Sequence, residues 1–164
     1  PFNYARQPFK TYKDGVLDKN DNCSNTPMTD KVDRNGCTIF NDETVRLELL
    51  INFDNNKSEV KEEFLSELER TANFLTLYPH TSLVIEGHTS KLGSNAYNQK
   101  ISQNRAEAVV TALVEKFSID ASRLSAVGYG EDRLINTANT AAAHSENRRI
   151  QAKIDTMKKT AIKR

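Results

Sequence analysis

A strand-like segment that ends in a glycine turn and leads into a long helix constrains the fold of this chain most. Leu83, Val84 and Ile85 are apolar. Glu86 and then Gly87-His88-Thr89-Ser90 follow them directly. A helix expected from about 94 to 117 then carries a single arginine, Arg105, among positions that have helical apolar spacing. A strand that passes through a tight turn into an amphipathic helix is typical of a layered α/β domain.

Other segments with strand and helix patterns alternate around this unit. Strands are predicted at about 45–53, 83–88, 124–127 and 148–154, and helices at about 94–117 and 138–146. A further helix is predicted to begin after Ser58 as its N-cap, with Glu59, Glu62 and Glu63 in its first turn, and to end before Pro79. This alternation predicts a two-layer α/β domain over 44–155.

The two ends of the chain differ from this middle part. Residues 1–43 are rich in Asp, Asn, Gly, Thr and Pro and have no sustained apolar periodicity, which predicts a turn-rich linker. Residues 156–164 form a short basic tail that we expect to be mostly solvated. The first residue is Pro1, so we expect the sequence to be a mature or excised portion of a longer protein, with any membrane part upstream.

Two cysteines, Cys23 and Cys37, lie in the turn-rich linker. A disulfide between them is the favoured interpretation, and two free thiols or a metal site are the alternatives. A zinc site usually needs four ligands, and no histidine is close in sequence. Closing this loop would add about 3 kcal/mol of stability in the chain-entropy model, and a disulfide implies an oxidising compartment such as the periplasm.

Charge and motifs argue against several functional classes. The formal net charge of +1 gives no electrostatic reason to expect a nucleic-acid partner. No apolar run approaches the roughly 18 residues of a membrane span, and no phosphate loop or dinucleotide fingerprint occurs. His88 is flanked by Glu86 and Ser90, but no nucleophile elbow accompanies them, so we expect a hydrogen-bonded structural histidine. Arg148 and Arg149 are expected to fix the last strand and loops by ion pairing, and contact with a ligand is the alternative.

Four short motifs together resemble the OmpA-like peptidoglycan-binding domain, over about 44–155. They are Ile51-Asn52-Phe53-Asp54, then Gly87-His88-Thr89 with Ser102-Gln103-Asn104-Arg105-Ala106, then Gly128-Tyr129-Gly130-Glu131, and Asn147-Arg148-Arg149-Ile150. The resemblance implies a mixed four-stranded sheet and two long helices in the order βαβαβ(α)β. It also implies a non-catalytic module on the periplasmic side of the outer membrane that anchors an outer-membrane protein, such as a porin, to peptidoglycan. An envelope or flagellar-motor interaction domain is the alternative, and a cell-wall hydrolase is a remote one.

The resemblance also implies a ligand, the diaminopimelate side chain of the peptidoglycan stem peptide. Its free end carries an ammonium and a carboxylate, which an aspartate and an arginine bind in the family. Arg105 matches that arginine, fifteen residues after the aspartate position. The residues expected to line the pocket are Phe53, Asp54, Thr89, Ser90, Asn98, Ile101 and Arg105. Independently of the resemblance, positions 98, 101 and 105 share a helix face, and an arginine near loop amides suits a carboxylate.

The chain departs from the family pattern at Ser90, which occupies the aspartate position. The change removes a charge-assisted hydrogen bond of roughly 1.5–3 kcal/mol, and Lys91 adds a positive charge nearby. Three outcomes are compatible with this change. Binding persists more weakly with Asp54 or a water compensating, the pocket prefers another ligand such as a simple carboxylate, or binding is lost while the fold is kept.

Residues 14–27 resemble part of a thrombospondin type 3 repeat, a calcium-binding module. Asp14, Asp18 and Asp21 are weak candidates for calcium ligands, because a hard cation prefers several oxygens. The favoured interpretation is an acidic turn held by the disulfide. No other cofactor is expected.

Overall fold

Strands and helices alternate in a computed structural model, which describes residues 16, 20–23 and 25–164. The strands are β1 (Phe40–Asn52), β2 (Leu83–Gly87), β3 (Leu124–Gly128) and β4 (Arg149–Ala161), and the helices are α1 (Leu65–Leu77), α2 (Asn95–Phe117) and α3 (Ala141–Asn147). Short 3-10 helices, Glu62–Phe64 and Ala121–Arg123, precede α1 and β3. None of the helices in this part of the chain is long and apolar enough to span a membrane.

The strands form a mixed sheet in the order β1-β4-β2-β3. β2 is parallel to β3, with Gly87 opposite Gly128, and antiparallel to β4, with Gly87 opposite Ile150. The carboxyl ends of β2 and β3 therefore meet at the same edge of the sheet. The predicted α/β architecture with its βαβαβ(α)β order is confirmed.

Apolar side chains between the sheet and the two long helices form the core. Alternate residues of the strands point inward, as the period of two requires. The buried set includes Leu47, Leu49, Ile51, Leu68, Leu75, Leu83, Ile85, Val109, Leu113, Ile150, Ala152 and Ile154. Helix α2 approaches the sheet so closely that a Cβ on Gly87 would lie 2.0 Å from the main-chain oxygen of Ser102. This contact holds the turn after β2 against α2.

Two strands extend beyond their predicted ends. β1 begins at Phe40 rather than near 45, and β4 continues to Ala161 rather than ending at Ile154. The segment predicted to be a basic tail is therefore largely strand, although most of its side chains are exposed as expected. This segment is mostly polar, so it lacks the alternation of apolar and polar residues that predicts a strand. A strand can still form there, because its main-chain hydrogen bonds do not depend on that alternation. Lys163, beyond the strand, forms an ion pair with the buried carboxylate of Asp30.

The first long helix begins later than predicted. Residues 58–61 are not helical, and Ser58 is not an N-cap. The main-chain oxygens of Asp54 and Lys57, in the loop before them, accept hydrogen bonds from Arg105. Arg105 thus holds the loop that directly precedes residues 58–61 by tertiary hydrogen bonds, which local propensity does not encode.

The described residues fall into two compact units. Arg46–Thr156 form one unit, and Met157–Arg164 belong to a second unit with the described residues up to Val45. The second unit contains the predicted disulfide, which is confirmed, with Cys23 and Cys37 joined at 2.01 Å. Of the calcium candidates, Asp14 and Asp18 lie outside the described residues, and Asp21 accepts a hydrogen bond from the Cys23 amide. Within the described part, no three acidic, histidine or cysteine side chains are grouped to hold a metal.

Candidate functional site

A small polar cleft lies where the loops after β1 and β2 meet the first turns of α2. Five of the predicted site residues line it together, namely Thr89, Ser90, Asn98, Ile101 and Arg105. The cleft encloses about 20 Å³, which is roughly the space of one water-sized group. It can therefore enclose a small charged group, and the rest of a larger ligand would lie at its mouth.

Arg105 is a buried cation held by main-chain oxygens. Its side chain is 1% exposed, and it donates from Nε to Lys57 O at 2.8 Å, from Nη2 to Asp54 O at 3.0 Å and, more weakly, from Nη1 to His88 O at 3.5 Å. A guanidinium has five N–H donors, so two are not used by these bonds. Arg105 forms no ion pair with any described residue, and the cleft therefore contains donors suited to an anion.

The surroundings of Arg105 disfavour its charge. Burial, and after it the nearby positive charge of Arg148, lower the pKa of Arg105 to about 10. The group is still protonated near neutral pH, so the protein keeps a desolvated positive charge there. A bound carboxylate would offset both effects, because an opposite charge stabilises the ionised form.

Phe53 and Asp54 lie beside the cleft and not in its lining. The ring of Phe53 lies under the guanidinium of Arg105, with Cζ 5.2 Å from the ring centroid. The Asp54 carboxylate pairs instead with Lys61 at 2.9 Å, and the hydrogen bond from Lys61 lowers the pKa of Asp54. It faces a neighbouring cleft of about 240 Å³. The side chain of Asp54 therefore does not compensate for Ser90 in this conformation.

The loop after β2 presents hydroxyl groups to the cleft. Thr89 is 3% exposed, and its Oγ1 has no hydrogen-bond partner among the described residues. Among the described residues, Ser90 Oγ accepts only a long bond, 3.5 Å, from the amide of Leu92. The ammonium of Lys91 is bound to the main-chain oxygen of Thr137 at 3.4 Å. Both hydroxyls therefore have hydrogen-bonding capacity that the described residues do not fully use.

Asn98 connects the cleft to the loop after β3. Its Nδ2 donates to Ser90 O at 3.3 Å and to Glu131 Oε2 at 2.5 Å. Both partners are acceptors, which fixes the orientation of the Asn98 amide. Asn98 is 3% exposed, so its position in the cleft is well defined.

The sequence did not reveal several lining residues. These are Asn55, Asn56, Leu92, Tyr97 and Arg148. Tyr97 had a usable signal, since it lies one turn before Ile101 on the same helix face. Arg148 was expected to form an ion pair, and that prediction is wrong. Its Nε donates to Phe53 O at 3.2 Å, and the structure shows no ion pair for it among the described residues.

The expected ion pair of Arg149 and the expected side-chain hydrogen bond of His88 are also corrected. Arg149 bonds to Gln151 and to the main-chain oxygen of Arg133 rather than to a carboxylate. His88 is 1% exposed, and neither ring nitrogen has a hydrogen-bond partner in the described part of the chain. Its ring stacks on Tyr129 at 5.6 Å. Burial, then the charges of Arg149 and Arg133, lower the pKa of His88 to about 4.

Curated relatives share this sequence over most of its length. The chain is 43% identical over 142 residues to outer membrane porin F of Pseudomonas aeruginosa, which is 87% of this chain and 40% of that porin. It is 32% identical over 108 residues to the peptidoglycan-associated lipoprotein of Mesorhizobium japonicum, covering 66% of this chain and 64% of that lipoprotein. The chain thus spans less than two thirds of the length of either relative.

Solved structures share the fold. The peptidoglycan-associated lipoprotein from Burkholderia pseudomallei aligns with a TM-score of 0.62 at 26% identity, over 66% of this chain and 90% of that one. The cell wall anchor of the T6SS from Pseudomonas aeruginosa aligns with a TM-score of 0.55 at 26% identity, over 66% of this chain and 80% of that one. The thrombospondin-like segment stays a prediction. Residues 52–148 match the OmpA family, which is more than half of the chain, and the chain therefore belongs to the OmpA family.

Proposed function

We propose that this chain is a non-catalytic module that binds peptidoglycan on the periplasmic side of the outer membrane. The ligand group is the free end of the diaminopimelate side chain of the stem peptide, which carries a carboxylate and an ammonium. The names of the relatives support the location and the polymer, since they include an outer-membrane porin and a peptidoglycan-associated lipoprotein. The Cys23–Cys37 disulfide also supports an oxidising compartment.

The observation that carries the proposal is the buried guanidinium of Arg105, which pairs with no carboxylate among the described residues. A buried charge is costly unless it is paired, and here three neutral main-chain oxygens are its only hydrogen-bond partners among the described residues. A ligand carboxylate would use the two remaining donors of Arg105. Arg148 and the unpartnered Oγ1 of Thr89 line the same cleft and would contribute a second positive charge and a hydrogen bond.

The composition of the cleft supports binding without catalysis. Its described lining contains no histidine, cysteine or carboxylate side chain. General acid–base catalysis most often uses such a group within hydrogen-bond reach of the substrate, and the hydroxyl of the tyrosine in the described lining, Tyr97, donates to Asn56 at 3.1 Å. His88 is buried and lies outside the lining. We therefore expect the module to anchor an outer-membrane protein to the cell wall and to leave the polymer intact.

A simple carboxylate is the second candidate ligand. Of the described residues, two with guanidiniums and none with a carboxylate line the cleft, so its own charge favours an anion over a zwitterion. A ligand without an amine would then bind at least as tightly as diaminopimelate. Comparing the two ligands in the same titration separates these candidates.

Co-sedimentation with purified sacculi tests the proposed function. We expect the protein to pellet with sacculi, to be released by free diaminopimelate and to liberate no muropeptides. Arg105→Lys keeps the charge but loses the planar fork, so it should weaken binding. Protein that stays in the supernatant at micromolar concentration, or that releases muropeptides, would overturn the proposal.

A further inference from the structure

Glu131, which follows β3, is a half-buried carboxylate beside the cleft without a cation partner. It forms no ion pair with any residue in the described ranges, and its one hydrogen bond there comes from the neutral amide of Asn98. An opposite charge nearby stabilises a carboxylate, and the neutral amide of Asn98 supplies none. A cation from outside would therefore be favoured near Glu131.

The main chain holds Glu131 close to the loop that contains Ser90. The preceding residue, Gly130, accepts a hydrogen bond from the amide of Thr89 at 2.8 Å and donates one to Ser102 Oγ at 2.9 Å. A φ of +53° at Gly130 permits this close path, which other residues adopt rarely. The residue directly before Glu131 is thus bonded both to the loop after β2 and to α2, which fixes where Glu131 begins.

One amide group bridges Glu131 and Ser90. The Nδ2 of Asn98 donates both to Glu131 Oε2, at 2.5 Å, and to Ser90 O, at 3.3 Å. Two acceptor oxygens therefore converge at the side of the cleft where Ser90 has no charge of its own. Arg105 and Arg148 supply donors to the same cleft, so donors and acceptors are both present for a group with two opposite charges.

The geometry points to Glu131 as the acceptor of the ligand's ammonium, in place of the negative charge that Ser90 lacks. The ligand class is then the zwitterionic end of an α-amino acid, with its carboxylate on the arginines and its ammonium near Glu131 and Ser90 O. This inference rests on the proposed function and adds to it the residue that distinguishes a zwitterion from a simple carboxylate.

Calorimetric titration with diaminopimelate and with pimelate tests the inference. Pimelate keeps the carbon chain and both carboxylates but has no amine. We expect the wild type to prefer diaminopimelate by at least about tenfold, the effect of one charge-assisted hydrogen bond. Glu131→Gln should remove about tenfold of diaminopimelate affinity and leave pimelate affinity unchanged, because glutamine still accepts the bond from Asn98. Ser90→Asp in the Glu131→Gln background should restore the preference.

Glu146→Gln is the matched control, since Glu146 also accepts a bond from an asparagine amide, that of Asn136, at 2.9 Å, and does not line the cleft. It should change neither affinity. A Glu131→Gln variant that keeps the full preference for diaminopimelate, or that loses both ligands equally, overturns the role of Glu131 while the proposed function survives. A wild type that binds neither ligand nor sacculi overturns both.

Discussion

The Nη2 of Arg105 donates to the main-chain oxygen of Asp54, at 3.0 Å, and not to its carboxylate. The carboxylate is instead paired with Lys61 and is about half exposed. Arg105 therefore supports the loop after β1 without having its charge neutralised. This arrangement combines a structural role with a donor group that is free to bind a ligand, and a substitution at Arg105 must be judged on both effects.

Replacing Arg105 by alanine should lower both stability and binding. The variant loses three hydrogen bonds and the contact with Phe53, so we expect a loss of about 2–4 kcal/mol in the free energy of unfolding. Binding to sacculi and to diaminopimelate should become undetectable. Urea denaturation and titration at a temperature where the variant is folded measure the two effects separately.

Arg123 provides a matched control for the structural part. It bonds to the main-chain oxygens of Leu75, Tyr78 and Thr81 and does not line the cleft. Arg123→Ala should cost a similar free energy of unfolding and leave binding unchanged. If Arg105→Ala were to bind normally, or if Arg123→Ala were to lose binding equally, Arg105 would have no specific ligand role.

Ser90→Asp should tighten binding to diaminopimelate by roughly 10- to 100-fold, the range of one charge-assisted hydrogen bond. The new carboxylate would lie at a 5% exposed position, where it can also accept the bond from the Leu92 amide that Ser90 Oγ now accepts. Its charge would add to that of Glu131. Titration at low and high salt should show the gain shrinking as ionic strength rises.

Pimelate is the control ligand for Ser90→Asp, because it offers the new carboxylate no ammonium. Its affinity should stay the same or fall through repulsion. Tighter pimelate binding by the wild type than diaminopimelate binding would contradict the zwitterion proposal and favour a simple carboxylate.

His88 should make the domain sensitive to mild acid. Its pKa is about 4 in the folded protein, below the ordinary value of 6.5, so the unfolded chain binds its proton more readily. The stabilisation is complete above pH 6.5 and is lost progressively as the pH falls from 6.5 to 4. We expect about 2 kcal/mol to be lost from this group between pH 7 and pH 5.

His88→Phe should remove that part of the pH dependence. Phenylalanine retains a ring against Tyr129 and has no buried nitrogens without partners. The free energy of unfolding of each protein, measured in urea at pH 7 and pH 5, gives the difference directly. An equal loss in both proteins would show that other groups cause the acid sensitivity.

Reducing the Cys23–Cys37 disulfide should loosen its own unit alone. The stabilisation expected from the closed loop is about 3 kcal/mol. Hydrogen exchange should speed up at the amides of Asn22, which is next to the loop and bonds to Asn35, and of Asp33, which bonds to Cys37 within it. Amides of Arg46–Thr156 should keep their protection, since that unit contains no cysteine. Faster exchange throughout α2 would contradict the independence of the two units.

Much of the fold was predictable from local patterns, because periodicity and turn residues are properties of the sequence itself. The α/β order, the strand before Gly87 and the N-terminus of α2 all followed from such signals. In the structure, Ser94 caps α2 by accepting from the Tyr97 amide. The helical spacing of Asn98, Ile101 and Arg105 also placed these residues on one face, and all three line the same cleft.

Contacts between distant segments decided the rest. Asp54 was an equally good candidate ligand residue in the sequence, but in the structure its carboxylate pairs with Lys61. Arg105 instead donates to the main-chain oxygens of Asp54 and Lys57. Arg148 and Glu131 come together with Asn98 and Ser90 only because β3 and β4 lie on either side of β2. Sequence determined which charges the chain carries and on which elements. Tertiary structure determined which of those charges are paired within the protein and which stay available to a ligand, because pairing depends on distances that local patterns do not encode.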